Sequence, residues 1–91
     1  MDMILVEHNV SSMKMEVMGV YGWPIWSKEV SEFAWTYDRP ESCYFLEGEA
    51  IVTPDGGEPI EMGAGDFVTF PQGISCTWKI LEDVKKHYVY K

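Results

Sequence analysis

From residue 30 onward, the sequence is a succession of short β-rich runs separated by glycine, proline and aspartate. The runs are VSEFAWTY, SCYFLEG, EAIVT, EPIEM, DFVTF, CTWKI and KHYVY. Strands of about five to eight residues with such turn residues between them are typical of a β-sandwich or β-barrel. A chain of 91 residues is long enough for one compact core. We therefore predict an all-β fold that forms a single domain over residues 1–91.

Two turns in this pattern can be assigned from their residue types. In the run Thr53-Pro54-Asp55-Gly56-Gly57, the proline presets the first turn angle and a glycine supplies a positive φ, which predicts a hairpin loop. Gly63 and Gly65 predict a tight connection before the next strand.

The region before residue 30 gives mixed signals. Within residues 11–18, alternating Met and Val favours a strand, whereas Ser12 as a cap with Met15 and Met18 favours a short helical turn, which we prefer. The run Trp23-Pro24-Ile25-Trp26 cannot lie inside a helix, because proline lacks the amide donor. We expect it to be an edge segment folded over one mouth of a barrel.

The charge of the chain excludes several classes of partner. Fifteen acidic against seven basic residues give a formal net charge of −8, which repels phosphate backbones and anionic lipid headgroups. The only basic cluster is Lys85-Lys86 with Lys91. No apolar run approaches the roughly 20 residues of a membrane helix. We therefore expect neither nucleic-acid nor membrane binding.

The cysteines and the first residues bear on the cellular compartment. Cys43 and Cys76 are 33 residues apart, with no CxxC motif and no zinc-type spacing. Reduced, buried thiols are the preferred interpretation; a disulfide and a functional thiol are the alternatives. The first ten residues have no basic region ahead of their apolar residues, unlike a secretory signal. These features favour a cytoplasmic protein.

Two glycine-framed segments carry a resemblance to a known superfamily. The run Glu41-Ser42-Cys43-Tyr44-Phe45-Leu46-Glu47-Gly48 resembles the E-x6-G end of the first cupin motif. The run Gly65-Asp66-Phe67-Val68-Thr69-Phe70-Pro71-Gln72-Gly73 resembles the G-x5-P-x-G start of the second. The resemblance places motif 1 at about residues 35–48 and motif 2 at about 65–80. It implies a cupin β-barrel (RmlC-like jelly roll), in which Gly48 turns the chain between antiparallel strands and Asp66 stabilises a turn.

A narrower resemblance covers nearly the whole chain. The aromatic run at residues 23–26, Trp35-x-Tyr37-Asp38, Glu41-x-Cys43-Tyr44 and Phe70-Pro71-x-Gly73-x-x-Cys76-x-Trp78 are similar to small single-domain cupins grouped with ureidoglycine aminohydrolase. The aminohydrolase itself is a larger, manganese-dependent protein with two barrels.

The resemblance also locates the positions where metal-bearing cupins hold their ion. Their His, His, Glu and His positions fall here on Trp35, Tyr37, Glu41 and Cys76. An indole cannot ligate a metal, and Glu41 with Cys76 is a pair of mixed hardness. We expect no metal ligands and no cofactor. The two histidines lie elsewhere: His8 is expected on the surface, and His87 could face the cavity.

Because side chains alternate along a strand, Cys43 and Phe45 should point inward with Glu41. Trp35 and Tyr37 should likewise share a face, as should Cys76 and Trp78. Core filling competes with ligand contact for most of these residues. For Tyr37 the two are more evenly matched, since its hydroxyl needs a partner and Glu41 is the obvious one. The candidate ligand-binding residues are Trp35, Tyr37, Arg39, Glu41, Cys43, Phe45, Cys76 and Trp78.

Three functional hypotheses follow. The first is a cupin that binds a small polar or sugar-like molecule in an aromatic barrel without metal. The second is an enzyme of the aminohydrolase-like or isomerase type, with or without metal, in which Glu41 and Tyr37 act as acid or base or Cys76 acts as nucleophile. The third is a structural module. A homodimer is expected in any case, through the run MILVEHNV and residues 23–26.

Overall fold

The computed structural model describes residues 3–91, and they form a barrel of antiparallel strands with one short helix. The strands are β1 (Leu5–Glu7), β2 (Ile25–Lys28), β3 (Ser31–Thr36), β4 (Glu41–Pro54), β5 (Ile60–Gly63), β6 (Phe67–Phe70) and β7 (Ser75–Tyr90). The helix α1 spans Ser12–Val17, and a 3₁₀ turn follows at Val20–Gly22. The predicted all-β fold with a short N-terminal helical turn is confirmed.

One curved sheet contains all seven strands. Its order is β1-β6-β4-β7-β2, with β3 paired to β7 and β5 paired to β4. The two longest strands, β4 and β7, pair along almost their whole length. Most buried apolar side chains pack inside the barrel, and they include the aromatic residues Phe45, Phe70 and Trp78. β4 and β7 therefore form the part of the barrel wall against which much of the core packs.

The helix covers the outer face of the sheet. Its N-cap is Ser11, whose hydroxyl accepts the Lys14 amide at 3.1 Å, so the cap lies one residue before the predicted Ser12. Met15 is fully buried and packs with Val20 and Phe67 in a second, small apolar cluster. Of the described residues, none belongs to a helix with the length and hydropathy to cross a bilayer.

The segment at residues 23–26 leads into β2, an edge strand that pairs only with β7. Pro24 lies just before the strand, and its carbonyl accepts the amide of Tyr88 at 3.0 Å. The predicted edge position is confirmed: Pro24 comes just before the first residue of an edge strand, where the missing amide donor of proline is tolerated.

Gly48 does not turn the chain as predicted. It lies inside the continuous strand β4, at a φ of +96°, where the register between β4 and β7 shifts. A Cβ at this position would lie 2.3 Å from the carbonyl oxygen of Asp83 on β7. The glycine is needed because the two long strands bend and approach closely at these bulges. The hairpin at residues 54–57 and the connection through Gly65 occur where the sequence predicts them.

We predict that Gly48→Ala destabilises the protein by about 3 kcal/mol or more, because it adds a backbone clash to the left-handed strain. Gly56→Ala is the matched control: φ is +74° there, but a Cβ meets nothing within 4 Å. It should lower stability by only about 1 kcal/mol. Urea unfolding measures both, and equal losses would contradict the close-approach explanation.

Candidate functional site

An aromatic cavity of about 170 Å³ opens at one side of the barrel. Residues at its mouth are exposed, such as Trp35 and Tyr90, whereas those at its floor are buried, such as Glu41, Trp78 and Lys86. The lining residues are Trp26, Phe33, Trp35, Tyr37, Glu41, Trp78, Lys86, Tyr88 and Tyr90. Seven of these nine are aromatic, so the walls are flat and apolar and the polar groups are concentrated at the floor.

Strand pairing brings together residues that are far apart in sequence. On β4 and β7, Glu41 lies opposite Tyr90, and Phe45 lies opposite Lys86. On its other side, β7 places Lys86 opposite Trp26 of β2. Because side chains alternate along a strand, the Lys86 side chain points into the barrel while its exposed neighbour Lys85 points out.

A buried ion pair forms the floor of the cavity. The Lys86 Nζ donates to Glu41 Oε2 at 2.8 Å, and each side chain is only 5% exposed. At this burial either charge alone would be strongly unfavourable, so the two groups must be buried together. No sequence argument singled out Lys86, which lies 45 residues from Glu41.

Four aromatic rings surround the Lys86 ammonium. Its Nζ lies 4.8 Å from the ring centre of Trp78 and 5.0 Å from that of Trp26. The ring centres of Phe70 and Phe45 lie at 5.6 and 5.8 Å. All four distances are within the range of cation–π attraction, which grows when the cation is desolvated. We call these four rings together with Glu41 the cation cage.

The surroundings keep Lys86 charged. Burial by itself lowers the pKa of its ammonium, but Cys43, Glu41 and the hydrogen bond to Glu41 more than offset this, and the pKa is raised above its ordinary value. Burial raises the pKa of Cys43 to about 12, so Cys43 is a neutral thiol near pH 7. The direct hydrogen-bond partner of the Lys86 ammonium is the Glu41 carboxylate.

Tyr37 does not form the hydrogen bond to Glu41 that the sequence suggested. Among the described residues, the side-chain hydrogen bond to the Glu41 carboxylate comes from Lys86 and not from the Tyr37 hydroxyl. The Tyr37 ring stacks on Phe70, with centres 4.4 Å apart and planes within 9°. Burial, and then the charge of Glu41, raises the pKa of Tyr37 above its ordinary value. The phenol is therefore a neutral hydrogen-bonding group in the cavity wall.

Both cysteines are free and buried. Cys76 Sγ donates to the carbonyl of Trp35 at 3.6 Å, and burial followed by the charge of Asp55 raises its pKa to about 11. Cys43 lies deeper, with no exposed surface. Neither thiol is poised as a thiolate, which is the form that a nucleophile requires.

The other predicted residues fall into two groups. Trp35, Tyr37, Glu41 and Trp78 line the cavity, but Arg39, Cys43, Phe45 and Cys76 do not. Phe45 and the thiols lie behind the wall, and the exposed Arg39 lies over the ring of Tyr90, 5.5 Å from its centre. The lining residues that sequence reasoning missed are Trp26, Phe33, Lys86, Tyr88 and Tyr90.

The histidines lie away from the cavity. His8 is exposed, as predicted, and its Nδ1 lies 3.0 Å from Asp66 Oδ1; Asp66 Oδ2 accepts the Gly63 amide, which fits its predicted turn role. His87 was a candidate to face the cavity, but its Nδ1 lies 2.9 Å from the carbonyl oxygen of Trp23 on the outer face. Neither histidine can reach Glu41.

The sequence and the structure both match known proteins. Residues 16–88 match the family described as EutQ-like cupin domain. A crystal structure of a DUF861 family protein from Thermotoga maritima is 46% identical, with 98% of this chain and 100% of that one covered and a TM-score of 0.93. A putative ethanolamine utilization protein Q from Salmonella typhimurium is 30% identical, with 72% and 53% covered and a TM-score of 0.65.

A more distant likeness shows the fold alone. The EutQ protein of Clostridium difficile is 20% identical, with 72% of this chain and 52% of that one covered and a TM-score of 0.66. This chain thus spans about half the length of either ethanolamine utilization protein. No functionally curated protein matches the chain.

The residues at the cupin metal positions do not fit a metal ion. Within residues 3–91 there is no cluster of three or more His, Cys, Asp or Glu side chains able to hold one. Of the four positions, Trp35 has no ligand atom, the Tyr37 ring stacks on Phe70, and the Cys76 thiol donates to the carbonyl of Trp35. Glu41 remains, and its carboxylate already binds an ammonium.

We predict that neither thiol reacts with iodoacetamide in the folded protein at about pH 8. A pKa of about 11 leaves roughly one Cys76 in a thousand as thiolate at that pH, and burial blocks access. Intact mass should show no addition in buffer and two in urea. Rapid single labelling of the folded protein at Cys76 would contradict this and favour a functional thiol.

Proposed function

This chain belongs to the EutQ-like cupin domain family, and we propose that its barrel binds a small, uncharged, polar ring compound such as a sugar. The observation that carries the proposal is the buried Lys86–Glu41 pair at the floor of an aromatic cavity. Each part of this arrangement selects for one property of the ligand.

Charge is the first property. Lys86 and Glu41 neutralise each other, so an added carboxylate or ammonium would leave an uncompensated charge in a site of low polarity. A net charge of −8 further disfavours anions. Small cations meet a carboxylate and aromatic faces that Lys86 already occupies. An uncharged ligand is the class that remains.

Hydrogen bonding is the second property. An ammonium has three donor hydrogens, of which Lys86 gives one to Glu41. The carboxylate has further lone pairs. A ligand hydroxyl can accept from Lys86 and donate to Glu41 at once, so neither charge loses a partner. Adjacent hydroxyls on a ring satisfy both groups best.

Shape is the third property. Flat aromatic walls stack on the apolar faces of a ring, as the faces of sugars do on Trp and Tyr. The volume of about 170 Å³ is close to that of a cavity that accepts benzene, about 150 Å³. A single ring fits this space, with Trp35 exposed at the mouth where it can cover the bound molecule.

Four finer predictions from the sequence stay predictions. The resemblance to the ureidoglycine aminohydrolase group would make a neutral ureide the alternative ligand. An enzymatic role for Glu41, Tyr37 or Cys76 also stays a prediction; the raised pKa values of the Tyr37 phenol and the Cys76 thiol disfavour their anionic forms near pH 7. Metal-free binding and cytoplasmic location likewise remain expectations.

Tryptophan fluorescence tests the proposal directly. Three of the four tryptophans line the cavity and Trp23 does not, so a bound molecule should change most of the tryptophan emission. We predict saturable emission changes with glucose or a cyclic ureide. We expect at least about tenfold weaker responses to glucuronate and glucosamine, which share the ring but carry a charge. Ethanolamine, a small cation, should also be weak.

The matched variants are Trp35→Ala and Tyr21→Ala. The two side chains are equally exposed, at 46% and 45%, but only Trp35 lines the cavity. Trp35→Ala should weaken binding about tenfold through the loss of one stacking face, and Tyr21→Ala should leave it unchanged. Tighter binding of a charged analogue, or no response to any neutral compound, would contradict the proposal.

A homodimer is a separate prediction. β1 and β2 are edge strands that each pair with one neighbour. On these strands, Leu5 is 56% exposed and Ile25 is 50% exposed. The unpaired backbone N–H and C=O groups of an edge strand can form hydrogen bonds with a strand of a second copy. Sedimentation at tens of micromolar should show a dimer that Leu5→Lys or Ile25→Lys weakens. A monomer at that concentration would contradict the prediction.

A further inference from the structure

We propose that Lys86 supplies, from the chain itself, the cation of this barrel, and that removing its side chain turns the cation cage into a binding site for a small alkylammonium ion. The cage consists of Glu41 and the rings of Trp26, Phe45, Phe70 and Trp78, all around one Nζ. This role of Lys86 is independent of the identity of the neutral ligand.

The position of the ammonium is the first argument. Of the four cupin metal positions, Glu41 is the one that keeps the residue type of metal-bearing cupins, and Lys86 Nζ lies 2.8 Å from its Oε2. The charge of Lys86 also lowers the pKa of both thiols, Cys43 and Cys76, although burial outweighs this effect. The ammonium therefore lies beside the one metal position that keeps the carboxylate of metal-bearing cupins.

The chemistry of the cage is the second argument. A metal ion needs several lone pairs at short distance, whereas four of the five cage members offer only ring faces. Aromatic faces with one carboxylate are the surroundings that recognise organic ammonium ions. The cage therefore matches the group that fills it and not the ion that the cupin fold usually carries.

The tether is the third argument. Because the ammonium is part of β7, it occupies the cage at a very high effective concentration, and a free cation cannot compete. The cation cage of the wild-type protein should thus already be occupied, and an added cation should not bind there. Truncating Lys86 at Cβ would leave Glu41 buried without a partner. It would also open a space with the shape of the side-chain atoms that were removed.

Lys86→Ala provides the test, with n-propylammonium as the probe, because this ion has the three carbons and the nitrogen that the substitution removes. We expect Lys86→Ala to have a lower Tm than wild type and n-propylammonium to raise it saturably. n-Propanol, which has the same length without the charge, should bind at least tenfold more weakly. Mn²⁺ and Zn²⁺ should raise the Tm of neither protein.

The control is Lys86→Ala combined with Glu41→Gln, in which the carboxylate charge is gone and the rescue by n-propylammonium should disappear. An equal response to n-propanol would mean that only the empty volume is filled, and it would overturn the proposal. So would a wild-type Tm that rises with n-propylammonium or with either metal ion.

A second pair of variants covers the case in which Lys86→Ala does not fold. Lys86→Met keeps the length of the side chain and loses the charge, so Glu41 stays buried and unpaired. Adding Glu41→Gln to Lys86→Met should then raise the Tm above that of Lys86→Met alone. If it lowers the Tm instead, the ammonium does not compensate Glu41 and the proposal fails.

Discussion

The ammonium of Lys86 and the carboxylate of Glu41 meet at the floor of the barrel, where neither can be buried without the other. Two opposite charges that are 5% exposed do not necessarily add stability, since apolar residues of similar size often replace such pairs at no loss. What the pair does provide is a fixed, charged and net-neutral group in an otherwise aromatic space. The rings around Lys86 reduce the desolvation penalty by offering their negative faces.

The backbone explains how this pair comes to be enclosed. Glu41 begins β4 and Lys86 lies near the end of β7, so only antiparallel pairing along both long strands brings them together. The strands can follow the barrel wall because Gly48 lets β4 pass within van der Waals contact of Asp83 at a bulge. A residue with a Cβ at position 48 would therefore strain the wall that positions the ion pair.

Much of this architecture could be predicted from the sequence, because local signals carry it. The hairpin at residues 54–57, the helix near Met15 and the inward direction of Glu41 follow from turn chemistry, capping and strand alternation. Lys86 was missed because its partner is remote in sequence and because the doublet Lys85-Lys86 looks like an exposed charge cluster. A signal was present: if one strand is extended from Trp78 to Tyr90, Lys86 falls on the buried face. The same division into short runs made Gly48 look like a turn.

Side-chain NMR of the lysines tests most directly whether Lys86 is a caged ammonium bound to Glu41. In a pH titration that follows Nζ and the ε-methylene, one of the six lysines should hold its proton to a higher pH than the other five. Its methylene protons should be shifted upfield by the rings of Trp26 and Trp78, and Lys86→Met should remove that signal. If the Lys86 signal instead titrates below the surface lysines, or shows no ring shift, the ammonium is not held in the cation cage.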